Sequence, residues 1–278
     1  MSAKILDGRL VSQSLLSDVA KRVLKLKMKL KLVIILVGDN PASLSYIKQK
    51  TRAAEQANIS AELVKLPLKT STIKLLILIE ELNKDKSVHG VLVQLPLSAN
   101  IDSKKIIGAI ADEKDVDGFA VKNLGNLFHE DESVAPCTPQ GIIRILDFYK
   151  IAIAGKHVVI VGRSNIVGKP LALMLLNRDA TVTICHSKTK DLAKHTRLAD
   201  ILVVAVGKPQ MITASMVKKD AVVIDVGVNR LAQGLVGDVD FKGLVKKVSY
   251  ITPVPGGVGP MTVACLMRNT LAAASRNR

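Results

Sequence analysis

The sequence predicts an α/β protein of two domains, each built on a parallel sheet. Three observations carry this. Short apolar runs alternate with helix-like segments through most of the chain, the pattern of βαβ units. The 278 residues suffice for two domains of ordinary size, each with its own core. The alternation breaks once, near 136–138, and then resumes.

In chain order, an opening helix is expected over 8–27, followed by strands at 32–37, 61–66 and 90–95, with helices at 43–57 and 72–83 between them. Asn58 follows AAEQA and is expected to take a left-handed φ at the helix end, a position more often held by glycine. A helix over 139–149 leads into a second set, with strands at 158–161, 181–185, 201–205 and 222–226. Helices are expected there at 168–178 and 189–195, with a very short one at 214–216. The last segment of note is ITPVPGGVGPMT, 251–262. Pro253, Pro255 and Pro260 fix φ, while Gly256, Gly257 and Gly259 remove the side chains that would keep a planar ligand from the main chain. It reads as a shaped loop between a short strand at 248–252 and a helix from near Met261, whose first N–H groups face the loop.

One stretch fits this scheme less simply. In VLKLKMKLKLV, 23–33, Lys25, Lys27, Lys29 and Lys31 alternate with apolar residues. Such alternation suits a half-buried strand or an interfacial segment. The preferred reading is a helix that frays near Lys27 and then leads into the first strand.

Composition narrows the class. With 48% hydrophobic and 23% charged residues and no apolar run long enough to span a bilayer, a soluble globular protein is expected. The opening MSAKILDGRLVSQSLL lacks an uninterrupted apolar core and a small-residue cleavage site, so secretion is not expected. Cys137, Cys185 and Cys265 are few and widely spaced, which points to a reduced, cytoplasmic chain with neither a disulfide framework nor a thiolate metal site. The net charge of +16 attracts polyanions and anionic small molecules. Only 3% of residues are aromatic, so no stacking platform for single strands accompanies that charge, and no nucleic-acid partner is expected.

The segment HVVIVGRSNIVGKPLALMLL, 157–176, combines an apolar strand, a loop holding Gly162, Arg163, Ser164, Val167 and Gly168, and an amphipathic helix. That arrangement seats a pyrophosphate over helix N–H groups. It departs from a strict GxGxxG because Ser164 stands where the second glycine would be. The next strand ends in His186, Ser187 and Lys188, with no acidic residue to hold the ribose hydroxyls of NAD. A carboxylate would repel a 2′-phosphate, whereas Arg163, Ser187 and Lys188 supply charge-assisted donors for one. The cofactor this points to is NADP. His186 is given no catalytic role.

A second constellation lies in the first half. Tyr46 and Lys50 stand four residues apart on the expected helix and share a face. VLVQLPL places Gln94, flanked by Val93 and Leu95, where a buried strand runs out. KDVDGF places Asp115 and Asp117 in a loop tight enough to need Gly118. A lysine, an amide, a carboxylate and a tyrosine thus converge on one site. No His/Cys/Asp cluster has the spacing of metal ligands, and no metal is expected.

With these residues in place, the chain resembles the bifunctional methylenetetrahydrofolate dehydrogenase/methenyltetrahydrofolate cyclohydrolase family, the FolD family. The resemblance runs nearly end to end through VGDNPAS, the YxxxK of Tyr46 and Lys50, VQLPL, DVDGF and PCTPQG. It continues through GRSNIVGKP, CHSKT, DVGVN, GDVDF and TPVPGGVGPMT. Local departures are Asn58 for the usual glycine, Ser98 after LPL where proline is common, and the alternating lysines.

The resemblance implies a folate-binding catalytic domain over 1–140, completed by a C-terminal helix at about 257–278, and a Rossmann-like NADP-binding domain over 141–256. It implies NADP-dependent oxidation of 5,10-methylenetetrahydrofolate, then hydrolysis of the methenyl product to 10-formyltetrahydrofolate. Tyr46, Lys50, Gln94 and Asp117 take the catalytic roles: Lys50 assists water attack, Gln94 orients it, Asp117 pairs with the pterin and Tyr46 faces the aminobenzoyl ring. Val93, Leu95, Pro255, Gly256 and Gly257 line the substrate. Gly162, Arg163, Ser164, Val167 and Gly168 form the phosphate loop, Ser187 meets the 2′-phosphate, and Val228 lies beside a ribose. A homodimer is the expected assembly. Two other readings remain at this point: a dehydrogenase with weak or lost cyclohydrolase activity, and a cation-rich nucleic-acid-binding protein.

Overall fold

The structure, a computed structural model, describes residues 2–26, 28–232 and 234–276. Lys27, the expected end of the opening helix, and 277–278, the last positions of the expected closing helix, lie outside the described residues. In chain order the elements begin with β1 (Lys4–Ile5), α1 (Gly8–Lys25), β2 (Leu30–Val37), α2 (Pro41–Gln56), β3 (Ile59–Leu66), α3 (Thr72–Lys84) and β4 (Gly90–Val93). Next come α4 (Ser103–Ala109), α5 (Val121–Asn126), α6 (Cys137–Phe148), β5 (His157–Val161), α7 (Gly168–Leu176), β6 (Thr181–Cys185), α8 (Leu192–Thr196) and β7 (Ile201–Val204). The chain finishes with β8 (Val222–Asp225), β9 (Asn229–Leu231), β10 (Gly234–Val236), α9 (Phe241–Leu244), β11 (Tyr250–Ile251) and α10 (Val258–Arg276).

Two compact units result. The six-stranded unit comprises the chain up to Ser12 together with Thr138–Thr262; the three-stranded unit comprises Gln13–Cys137 and the chain from Val263. In the three-stranded unit β2 lies between β3 and β4, all parallel. Val33 and Ile35 of β2 and Val91 and Val93 of β4 pack with Leu75 and Ile79 of α3 and Ile106 of α4. Every residue of β2 except Lys31 is buried, as expected of a central parallel strand covered on both faces. The part of α10 in this unit is tied down by Asn269, whose amide donates to the Val116 and Ala135 carbonyls at 3.0 and 2.9 Å.

The alternating lysines divide between two elements. Lys25 closes α1, where a cation complements the helix dipole. Lys31 stands in β2 and pairs with Glu62 of β3 at 2.7 Å. The helix-then-strand reading therefore describes the residues on either side of Lys27.

The six-stranded sheet has the order β1-β11-β8-β7-β5-β6, with every pairing parallel. Val159, Val161, Leu202, Val204, Val223 and Ile251 form its core. The chain leaves β5 to build β6 on one side and β7 on the other, so a topological switch point lies beyond Val161, where ligands of open α/β sheets bind.

Several boundaries differ from expectation. α10 begins at Val258 rather than near Met261, because Pro260 falls in the first turn, where no backbone N–H is needed. β4 ends at Val93, leaving Gln94 and Leu95 beyond the strand. α8 starts at Leu192 rather than at 189, because Asp191 caps it by accepting from the Lys194 amide at 3.3 Å. Asn58 does take a left-handed φ of 57°. The elements not anticipated are β1, α4, α5, α9 and the β9–β10 hairpin, all short.

Candidate functional site

Helix α2 presents the first cluster. Its start is fixed by Pro41 at the first turn and by the Asn40 side chain, which accepts from the Ala42 and Ser43 amides at 2.9 and 3.2 Å. That start sets the rotation of the helix: Ser43, Ile47, Ala53 and Ala54 are buried, and Tyr46 and Lys50 lie half-buried beside that face. The Lys50 Nζ donates to Gln94 Oε1 at 2.9 Å. Gln94 is held in turn, because its Nε2 donates to the Leu95 carbonyl at 2.7 Å and its main-chain amide extends the β2–β4 ladder to the Ile35 carbonyl at 2.9 Å. Val93 is buried and Leu95 half-buried. Burial also pushes the Tyr46 hydroxyl above its ordinary range.

The two aspartates of DVDGF have different environments. Asp115 accepts from the Gly118 amide at 3.0 Å, the Ala120 amide at 2.7 Å and the Asn123 side chain at 2.9 Å, so its lone pairs serve the loop. Asp117 accepts no hydrogen bond from the described residues, and its carboxylate remains open to a ligand's donors. The protein surrounds that carboxyl closely, although the residue retains some accessible surface. Burial raises it to about 6; the Lys50 charge pulls it back down and the Asp115 charge adds to the rise. The Cys137 thiol, in the same surroundings, is pushed well up by burial and donates to the Val116 carbonyl at 3.4 Å.

A second site occupies the switch point of the six-stranded sheet. A cavity of about 440 Å³ is lined by Gly162, Arg163 and Ser164 after β5, by His186, Ser187 and Thr189 after β6, and by Val206 and Lys208 after β7. Gly162 has a φ of 133°, and a side chain there would strike the Ala205 carbonyl; one on Gly168 would strike the carbonyl of Gly162. Both glycines are therefore needed for the turn to fold against the start of α7. The Ser164 hydroxyl accepts from the Val167 amide at 3.1 Å and the Gly168 amide at 3.5 Å, and its carbonyl accepts from the Lys169 amide at 3.1 Å, so the protein itself caps the first turn of α7. Among the described residues no carboxylate lines the cavity.

The cavity thus brings together Gly162, Arg163, Ser164 and Ser187. Val167 and Gly168 lie behind the turn, and Lys188 and Val228 do not line the cavity; Val228 is 43% exposed after β8. Lys50, Gln94 and Asp117 form the electrostatically linked group of the three-stranded unit, with Tyr46 one helical turn from Lys50. Pro255, Gly256 and Gly257 belong to the six-stranded unit. Pro255 is exposed, whereas the two glycines are buried, and the Gly8 amide donates to the Gly256 carbonyl at 2.9 Å. Sequence reasoning missed Thr189 and Lys208. The Gly207-Lys208-Pro209 turn at the end of β7 was the available signal for Lys208, since ligand-binding loops follow parallel strands. Among the described residues no group of three or more His, Cys, Asp or Glu is placed to hold a metal ion, and no helix is long and apolar enough to cross a membrane.

Two family models match the chain. The tetrahydrofolate dehydrogenase/cyclohydrolase catalytic domain matches residues 6–117, and the NAD(P)-binding domain of the same family matches residues 136–278. The bifunctional protein FolD of Moorella thermoacetica is 54% identical over 280 residues, covering 99% of this chain and 100% of that protein. Among solved structures, the bifunctional enzyme FolD of Campylobacter jejuni is similar at a TM-score of 0.96 and 48% identity, covering 100% of both chains. The Trypanosoma brucei FolD complexed with NADP cofactor and inhibitor is similar at a TM-score of 0.95 and 36% identity, covering 99% of this chain and 98% of that one.

Proposed function

The chain belongs to the tetrahydrofolate dehydrogenase/cyclohydrolase family, and on that premise we propose how its own residues divide the family's two reactions. It is a bifunctional enzyme that oxidises 5,10-methylenetetrahydrofolate with NADP and hydrolyses the resulting 5,10-methenyltetrahydrofolate to 10-formyltetrahydrofolate. The observation that carries the assignment of roles is the Lys50–Gln94 hydrogen bond beside an Asp117 carboxylate that takes no donor from the described residues.

Asp117 binds the pterin, whose ring N–H and amino groups are donors that a carboxylate accepts in pairs. Tyr46 supplies a face for the aminobenzoyl ring. The methenyl group is a cation, and the Lys50 Nζ beside Gln94 is the group placed to exchange a proton with the water that attacks it. Water attacks the methenyl carbon as Lys50 takes one of its protons; the bond from that carbon to the pterin nitrogen then breaks as the ammonium returns this proton to the nitrogen, while the remaining hydroxyl proton is released to solvent and the formyl C=O forms. Gln94 fixes the amine through its Oε1. Product analysis tests this division: wild-type protein given methylenetetrahydrofolate and NADP yields NADPH and 10-formyltetrahydrofolate, whereas methenyl product alone would support a dehydrogenase with lost cyclohydrolase activity.

The cavity after β5 fits NADP in both shape and charge. Its glycine turn lets a pyrophosphate approach the main chain, Arg163, Ser187 and Lys208 supply donors, and among the described residues no carboxylate lines it to oppose a 2′-phosphate. When bound, the nicotinamide accepts the hydride. Arg163→Ala is expected to raise the KM for NADP by roughly 10- to 100-fold, since a hydrogen bond to a charged group contributes about 1.5–3 kcal/mol. The KM for NAD should change far less, and steady-state kinetics with both cofactors checks this; equal losses would remove Arg163 from the 2′-phosphate.

We also propose a homodimer in a reducing, cytoplasmic setting. All three cysteines are buried and none is in a disulfide, which supports the second part. Sedimentation of the purified protein tests the first.

A further inference from the structure

Two carboxylates that the proposed chemistry does not use are buried beside the NADP cavity. Asp225 ends β8 and is 3% exposed; Asp238 follows β10 and is 0% exposed. Asp225 accepts from the amides of Gly227 at 3.0 Å, Asp238 at 2.9 Å and Val239 at 3.1 Å. Asp238 accepts from three consecutive amides, Val206 at 2.7 Å, Gly207 at 2.9 Å and Lys208 at 2.9 Å, and from the Asn229 side chain at 2.9 Å. None of these donors is a charged side chain. A side chain on Gly227 would overlap the Asp238 carboxylate, and one on Gly237 the Asp225 carboxylate, so the sequence keeps both positions bare.

Burying two like charges without a cation is expensive, and apolar packing would fill the same space without that penalty. What the arrangement provides is directional. Successive N–H groups that converge in this way form an anion nest, and here the nest is filled by the protein's own Asp238. The loop so fixed includes Val206 and Lys208, which line the cavity. Through Gly227 and Asn229 the same pair of carboxylates holds both neighbours of Val228.

We propose that Asp238, seated by Asp225, is a positioning residue for the cofactor, holding the 206–208 loop in the conformation that binds NADP. The inference rests on the assignment of the cavity to NADP. Asp238 touches neither substrate nor reacting atoms in this account; it acts through the main chain of the cavity wall.

The test is Asp238→Asn, which preserves size but offers one acceptor oxygen where two serve four donors. The KM for NADP is expected to rise at least tenfold. The dehydrogenase kcat at saturating NADP, the KM for methylenetetrahydrofolate, and the hydrolysis of methenyltetrahydrofolate should each stay within twofold of wild type. A purely structural role would lower all of these together with the melting temperature, and that result, or an unchanged KM for NADP, would overturn the proposal. Should Asp238→Asn fail to fold, Asn229→Ala decides, because it removes a single neutral donor from a half-buried position: a threefold or greater rise in the KM for NADP alone supports the proposal, and no rise overturns it. Wild-type NADPH formation in the same assays separates failure of this inference from failure of the NADP reading beneath it.

Discussion

Lys50→Met is expected to lower the hydrolysis of methenyltetrahydrofolate by roughly 10²- to 10⁴-fold, the range a positioned acid–base group supplies. The reason is geometric before it is electrostatic. Lys50 is placed by a capped helix, and its Nζ is held by an amide that is anchored at its own far end. Methionine keeps the length and the packing of the apolar stem but has no amine, so the fold should survive the change. Oxidation of the methylene substrate needs no proton transfer through Lys50 and should continue. Hydrolysis followed by loss of methenyl absorbance, with near-ultraviolet circular dichroism to confirm native packing, checks this. Full hydrolytic turnover in the variant would remove Lys50 from the mechanism.

Asp117→Asn should raise the KM for both folate substrates by about 10- to 100-fold, since one of two charge-assisted hydrogen bonds is lost and an amide N–H₂ then opposes a ligand donor. The pH dependence follows from the raised carboxyl. Its value of about 6 in the folded chain against an ordinary 3.8 means that the protonated form favours the fold. Stability from this group is fully present below pH 3.8 and is lost as pH rises through about 6. Above that point the carboxylate is ionised, competent for the pterin and a burden on the fold. Wild type should therefore bind folate progressively less well as pH falls through 6, and the asparagine variant should lack that dependence. At pH 8 the variant should be the more stable of the two, by on the order of 1–3 kcal/mol. The gap should close toward pH 4. Thermal melts at the two pH values and folate titrations across the range test both halves, and an unchanged folate KM would take Asp117 out of the pterin role.

The sequence made part of this site visible and concealed the rest for physical reasons. Tyr46 and Lys50 could be paired because helical spacing puts i and i+4 on one face, and Gln94 because the apolar run of β4 stops beside it. Residue type and spacing alone could not separate the duties of Asp115 and Asp117, both carboxylates in one loop; the family resemblance singled out Asp117, and the hydrogen bonds show that Asp115 is the one occupied within the loop. The same holds for Asp238, whose partners are main-chain amides about 30 positions earlier and carry no residue signature. β1 was invisible because two residues show no periodicity; its pairing with β11 is what draws the start of the chain into the six-stranded unit. Pro260 misled in the opposite direction, reading as a barrier to a helix that in fact begins just before it.

In the proposed division of labour, oxidation and hydrolysis are separate acts on one folate and Lys50 performs only the second. Its most direct test records NADPH and methenyl absorbance together after wild type and Lys50→Met are each mixed with methylenetetrahydrofolate and NADP. Wild type is expected to give NADPH without lasting methenyl product, and the variant NADPH with accumulating methenyl product. Identical traces from the two proteins would contradict it.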